Sequence, residues 1–198
     1  MRRGGREWFE KALAVNPGNQ DLYLHLDQLY KSHKLDDNRE QLLGRIKALT
    51  DAREDVHKHR ITMMVELGHH QEALDLMSAE KFVPLEMDQS FHEVYVQALM
   101  LRARDHLDAG RFEEAIQDYQ RMLEYPANQG VGAPTTRSQS HIYYRLGLAY
   151  EKLGRYPHAI CAWREAASEH HAHGTEPFRD VQMALDKLSR YSELGMDA

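Results

Sequence analysis

The feature that most narrows what this chain can fold into is a spaced set of large and small residues that recurs along it. From Ser140 onward the set reads Tyr143, Leu146, Gly147, Tyr150, Gly154, Tyr156, Ala159, Trp163 and Ala166. Those spacings suit two short helices joined by a turn. Gly147, Ala159 and Ala166 let the helices cross closely, while Tyr143, Tyr150 and Trp163 fill the space between one hairpin and the next. Gly154 supplies the turn, because a positive φ costs little only at glycine.

The same register, moved back along the chain, fits three earlier stretches. One begins near Val96 with Leu99, Ala103, Gly110, Phe112, Ala115, Tyr119 and Met122. Another begins near Glu54 with Ile61, Met64, Gly68, Ala73 and Met77. The weakest begins near Gln20 with Tyr23, Leu26, Tyr30, Leu43 and Ile46, and Arg39 stands where alanine is the norm. The starts at Gln20 and Glu54 are one period of about 34 residues apart, a spacing at which each unit is a helix hairpin. A single hairpin cannot bury its apolar face, so hairpins stack. The expected fold is all-α: a right-handed superhelical α-solenoid, one domain over 1–198, with repeats at 20–53, 54–80, 96–125 and 140–172.

The ends differ from the repeats. Residues 6–17, closing on Asn16-Pro17, have the pattern of a second helix without its first, either a half repeat of a longer protein or a cap. At the other end 177–193 reads as a capping helix. Pro177 opens it, and Phe178, Val181, Ala184, Leu185, Leu188 and Tyr191 form one apolar stripe. Two irregular segments interrupt the repeats, 81–89 around Pro84 and 125–136 with two prolines and two glycines. The second is a candidate binding loop through Tyr125, Asn128, Gly130 and Gly132, since functional residues concentrate in loops on rigid scaffolds.

These residues resemble the tetratricopeptide repeat (TPR) family over nearly the whole chain, the fourth repeat most specifically. Residues 82–98, 110–120, 123–134 and 143–167 are similar, in that order, to the C-terminal repeats of large bacterial proteins with an uncharacterised β-rich, carbohydrate-enzyme-like domain ahead of them. That family's loop, Tyr-Pro-Glu-Asn-Leu-Gly, is here Tyr125-Pro126-Ala127-Asn128-Gln129-Gly130. Its Trp-Glu-Gly-Gly run is replaced by Leu85-Glu86-Met87-Asp88. The resemblance implies a scaffold that docks a missing N-terminal domain, completes its carbohydrate site, or assembles with itself. A free-standing peptide-binding module is the further alternative. Of the positions that a carboxylate clamp in this family would use, only Lys58 fits, so that mode is rejected.

Chemistry finds little foothold. His170-His171-Ala172-His173 is the densest cluster of metal-binding side chains, yet successive helical positions point in different directions. His57 with His59, and His69 with His70, share that weakness. Acid pairs such as Glu113-Glu114 read as solvated faces. No nucleophile elbow, phosphate loop or dinucleotide fingerprint occurs. Cys161, the one cysteine, lies between Ile160 and Ala162 and is expected to be a buried structural thiol. The expectation is therefore no enzyme, no cofactor and no metal. The net charge of −6, with acids and bases interleaved, argues against nucleic acid. No apolar run is long enough to span a membrane, and a cytoplasmic location is expected.

Stacked hairpins present their first helices on a concave groove. In this register the groove would carry Asp21, Leu24, Gln28, Lys58, Thr62, Met100, Arg104, His141, Tyr144, Leu148 and Lys152. That mixed polar and apolar set suits a protein or peptide partner, or a second copy of the chain.

Overall fold

The computed structural model describes residues 4–82, 90–129, 138–168 and 179–195. Ten α-helices account for most of these, and no strand occurs among them. They are α1 (Gly4–Val15), α2 (Asp21–Ser32), α3 (Asp36–Lys47), α4 (Glu54–Glu66), α5 (His70–Ala79), α6 (Ser90–Asp108), α7 (Phe112–Met122), α8 (Ser140–Lys152), α9 (Tyr156–Ser168) and α10 (Arg179–Glu193). A short 3₁₀ turn covers Ala127–Gln129. Acidic pairs open several helices, Asp36-Asp37 in α3, Glu54-Asp55 in α4 and Glu113-Glu114 in α7, where they meet the positive end of the helix dipole.

The chain forms two compact units. One comprises residues 1–94 with 128–130, and the other residues 95–127 with 131–198. In the first, α1 packs on α2, α2 pairs with α3 as a hairpin, and α4 pairs with α5 while touching both α2 and α3. Its core is Leu13, Leu26, Ile46, Ile61, Met64 and Ala73, all fully buried. The side-chain amide of Asn128 belongs to this unit. It donates to the carbonyls of Met77 (2.7 Å) and Glu80 (2.8 Å), while the Asn128 carbonyl accepts from Phe82 N (2.9 Å). Carbonyls at the C-terminal end of α5, which have no partner within the helix, are satisfied in this way.

In the second unit α7 packs on α8, α8 pairs with α9, and α10 lies against both α8 and α9. The turns behave as the spacing implies. Gly68, Gly110 and Gly154 sit between the two helices of their hairpins at φ +93°, +72° and +70°. The hairpin α2–α3 has no glycine there and places Lys34 at φ +56° instead.

Ala115, Ala159 and Ala166 are fully buried, as helix crossings require. Gly147 is the tightest crossing: a Cβ there would lie 2.5 Å from Cδ1 and 2.8 Å from Cε2 of Trp163, and closer still to Nε1. Only glycine fits. The Trp163 indole N–H donates to the Tyr144 carbonyl (3.3 Å), and the ring meets Tyr191 of α10 at 5.4 Å. Tyr143 and Tyr150 are half-buried rather than fully enclosed.

One expectation is overturned. Cys161 is exposed. Helix α9 turns Ala159, Ile160, Ala162, Trp163 and Ala166 inward, whereas Cys161 shares the outward face with His158 and Glu165, its neighbours three residues before and four after.

Candidate interaction face

The first helices of the hairpins carry the sequence-derived groove residues, and the structure places them unequally. On α2, Asp21 and Gln28 are exposed and Leu24 is half-buried between them. On the adjacent α4, Lys58 and Thr62 are half-buried. Asp21 is held by Arg53 at 2.7 Å, and Arg53 also pairs with Asp55 at 2.6 Å. The hydrogen bonds from Arg53 hold the Asp55 carboxyl below the usual carboxylate range. Lys58 lies 5.5 Å over the Phe91 ring and pairs with Glu54 at 3.5 Å. Its charge is therefore already engaged within the fold. Thr62 Oγ1 donates back to the Lys58 carbonyl (3.1 Å).

In the second unit Arg104 and Lys152 are exposed, and Met100, His141 and Leu148 are half-buried. Tyr144 departs from the groove expectation. It is 7% exposed and packs with Ala159, Trp163, Ala166 and Ala184. The apolar stripe of α10 needs a cover, and it takes the face of α8 that would otherwise be open. Burial raises the Tyr144 phenol above its ordinary range, with Asp180 and Glu151 adding to the effect. Leu148 packs at the edge of the same cluster. Glu151 anchors α10 by accepting from Lys187 Nζ (2.6 Å) and Tyr191 Oη (2.7 Å). Burial and that hydrogen bond push the Tyr191 phenol up to about 12.

Of the candidate loop, Tyr125 is half-buried and Asn128 spends both amide protons on α5 and Glu80. Its role is to close a helix end. Gly130, Gly132, and the cluster His170 to His173 lie outside the described residues, as do Pro177 and Phe178 of the capping segment. Among the described residues no group of three or more His, Cys, Asp or Glu side chains is arranged to hold a metal ion. No described helix is long and apolar enough to cross a membrane.

Sequence reasoning did not find a buried charge network in the first unit. Asp27 of α2, 2% exposed, accepts from Arg39 Nε (2.7 Å) and NH2 (3.2 Å) and faces His59 Nε2 at 3.0 Å. Arg39 NH2 also reaches Glu66 (2.6 Å), which pairs with Lys31 (2.6 Å). The one hint in the sequence was Arg39 itself, standing where a small residue is the norm. Against the cost of burial, the close approach of His59 and the hydrogen bonds from Arg39 hold Asp27 below the carboxylate range. Lys31 and Arg39 do the same for Glu66.

Residues 140–162 match the tetratricopeptide repeat family model. No curated protein matches the chain in sequence. Three solved structures are similar in fold. A crystal structure of MamA protein has a TM-score of 0.56 at 17% identity, over 85% of this chain and 82% of that one. A second MamA structure has a TM-score of 0.55 at 17% identity, over 85% and 88%. BtubC (BKLC) from P. vanneervenii has a TM-score of 0.58 at 16% identity, over 96% and 80%. The chain thus carries a tetratricopeptide repeat at residues 140–162, and its fold is an all-α solenoid of helical repeats similar to that of MamA and BtubC.

Proposed function

We propose that the chain is a non-catalytic protein–protein interaction scaffold that engages an extended peptide or a partner surface through the first helices of its hairpins. The observation that carries this reading is the α2–α4 face. Its ionic groups are satisfied within the fold, while Leu24 and Gln28 combine apolar contact with an exposed amide on rigid helices. Such a face binds by shape and hydrogen bonding rather than by a reactive group. The tetratricopeptide match at 140–162 and the helical-repeat neighbours support the same reading. An exposed, unpaired thiol at Cys161 suits a reducing, cytoplasmic setting.

The test is to pan the purified chain against a displayed library of unstructured peptides and to measure the enriched sequences by fluorescence anisotropy. Gln28→Arg and Arg104→Glu change exposed groove positions without touching the core. Gln28→Arg is expected to weaken peptides that bind the first unit, and Arg104→Glu those that bind the second, at least several-fold, while Gln71→Ala and Gln117→Ala, on second helices, leave them unchanged. Enriched peptides that bind all four variants alike would remove the first helices from the reading.

A further inference from the structure

The hairpins α6–α7 and α8–α9 share a register and differ in what bridges their helices. Aligned on the turn glycines Gly110 and Gly154, Arg102 corresponds to Leu146, His106 to Tyr150 and Asp118 to Ala162. In α6–α7 the Arg102 guanidinium crosses from one helix to the other. It donates to Asp118 (3.0 Å), which is 2% exposed, and His106 Nε2 lies 3.6 Å from the same carboxylate. In α8–α9 the corresponding Leu146 and Ala162 help to wall an open cleft of about 290 Å³.

The rest of that wall suits a positive group. Tyr143 and Tyr150 line the cleft from α8, and His158 lines it from α9 with its ring 5.2 Å from that of Tyr150. Gln120 donates to Tyr150 Oη (3.2 Å), which helps to fix that ring. Glu165 is the only carboxylate lining the cleft, and no lysine or arginine lines it. No ion pair joins Glu165 to the described residues. It lies one turn after Ala162 and is exposed, so the acid stands at the mouth of the cleft rather than at its floor.

Two features of the wall therefore select for positive charge. Aromatic faces attract a cation through the ring quadrupole, and a carboxylate adds a charge-assisted hydrogen bond. A guanidinium satisfies both better than an ammonium, because it is planar, stacks on rings and forks onto a carboxylate. The volume falls just below the range of pockets for drug-sized ligands, and suits one long side chain.

We infer that the cleft between α8 and α9 receives an arginine side chain of a partner protein, with its guanidinium against the aromatic wall and Glu165. The partner then supplies in trans the kind of group that α6–α7 carries as its own Arg102. This cleft is separate from the face on α2 and α4, and the inference does not rest on that reading.

The test titrates the full chain with Nα-acetyl-arginine amide and follows chemical shifts. Saturable changes are expected at Tyr143, Tyr150 and Glu165. The citrulline analogue, equal in shape but uncharged, should bind about tenfold more weakly. Glu165→Gln should weaken the arginine probe about threefold and leave the citrulline probe unchanged. Tyr150→Phe keeps the ring and retains binding, whereas Tyr150→Leu, checked for folding by its thermal midpoint, loses it. A displayed peptide library depleted on Glu165→Gln should return arginine-containing peptides that lose about tenfold when that arginine becomes citrulline. Gln28→Arg and Arg104→Glu should leave those peptides unaffected, which separates this cleft from the first-helix face. The inference is overturned if citrulline binds as well as arginine, if the shifts fall outside the cleft, or if the depleted library returns no arginine peptide. It also fails if light scattering finds a dimer that Glu165→Gln abolishes, since a second copy then occupies the cleft.

Discussion

The hairpins α2–α3 and α8–α9 have the same outline and are held together by different physics. In α8–α9, Gly147 lets the Trp163 indole lie against the backbone of α8, and alanines complete an apolar crossing. In α2–α3 the corresponding space holds Arg39, kept in the interior by Asp27 and Glu66. Their turns differ in the same sense: Gly154 adopts a positive φ freely, while Lys34 does so against the preference of an L side chain. A repeat can thus lose its small residues and keep its shape, provided that every buried charge finds a partner. What it gives up is tolerance, because each member of such a network depends on the others.

The sharpest way to break the comparison is at Arg39. Arg39→Met leaves Asp27 buried without its main partner, and removal of one member of a buried pair costs about 3–5 kcal/mol. Adding Asp27→Leu should return stability to within about 1 kcal/mol of the parent, since an apolar replacement of a whole pair is often neutral. Urea denaturation of the single and double variants reads both values. If the double variant is as unstable as the single, the network is more than a substitute for small residues.

In α8–α9 the equivalent lesion is steric. Gly147→Ala drives a Cβ into a fully buried indole, and overpacking of this kind costs roughly 1–3 kcal/mol. Its thermal midpoint should fall. A smaller effect of opposite sign is expected at the other turn: Lys34→Gly relieves the left-handed backbone and should stabilise by about 1 kcal/mol.

Acid should also separate the two hairpins. Asp27 and Glu66 have folded-state pKa values below their unfolded ones. Their contribution is complete above the unfolded carboxylate range, near pH 4, and is lost as pH falls through the lower folded values. The α8–α9 crossing is apolar and its buried cluster contains no carboxylate. Hydrogen exchange below pH 4 should therefore show α2–α3 losing protection before α8–α9, and equal loss would refute the contrast.

Much of this was legible in the sequence, and the reasons are specific. Gly68, Gly110 and Gly154 mark turns because their backbone demands glycine. Ala115, Ala159 and Ala166 mark crossings because small side chains recur where the helices bury against one another. The misses have physical causes too. Arg39 stood out as irregular, yet its partners lie 12 and 27 residues away and no local rule joins them. Cys161 has apolar neighbours in sequence but falls between the inward positions of α9. Tyr144 sits at a groove position by register and is covered because α10 docks there. Asn128 lies in a loop that invites a binding role, and its amide instead closes α5.

The most direct measurement of the scaffold reading is a chemical-shift map of the chain with a peptide selected for binding. The account predicts perturbations clustered on the exposed faces of first helices, at Leu24, Gln28 and Thr62 in the first unit or at Met100, Arg104 and Lys152 in the second. Perturbations confined to the outward faces of α3, α5, α7 and α9 would contradict it.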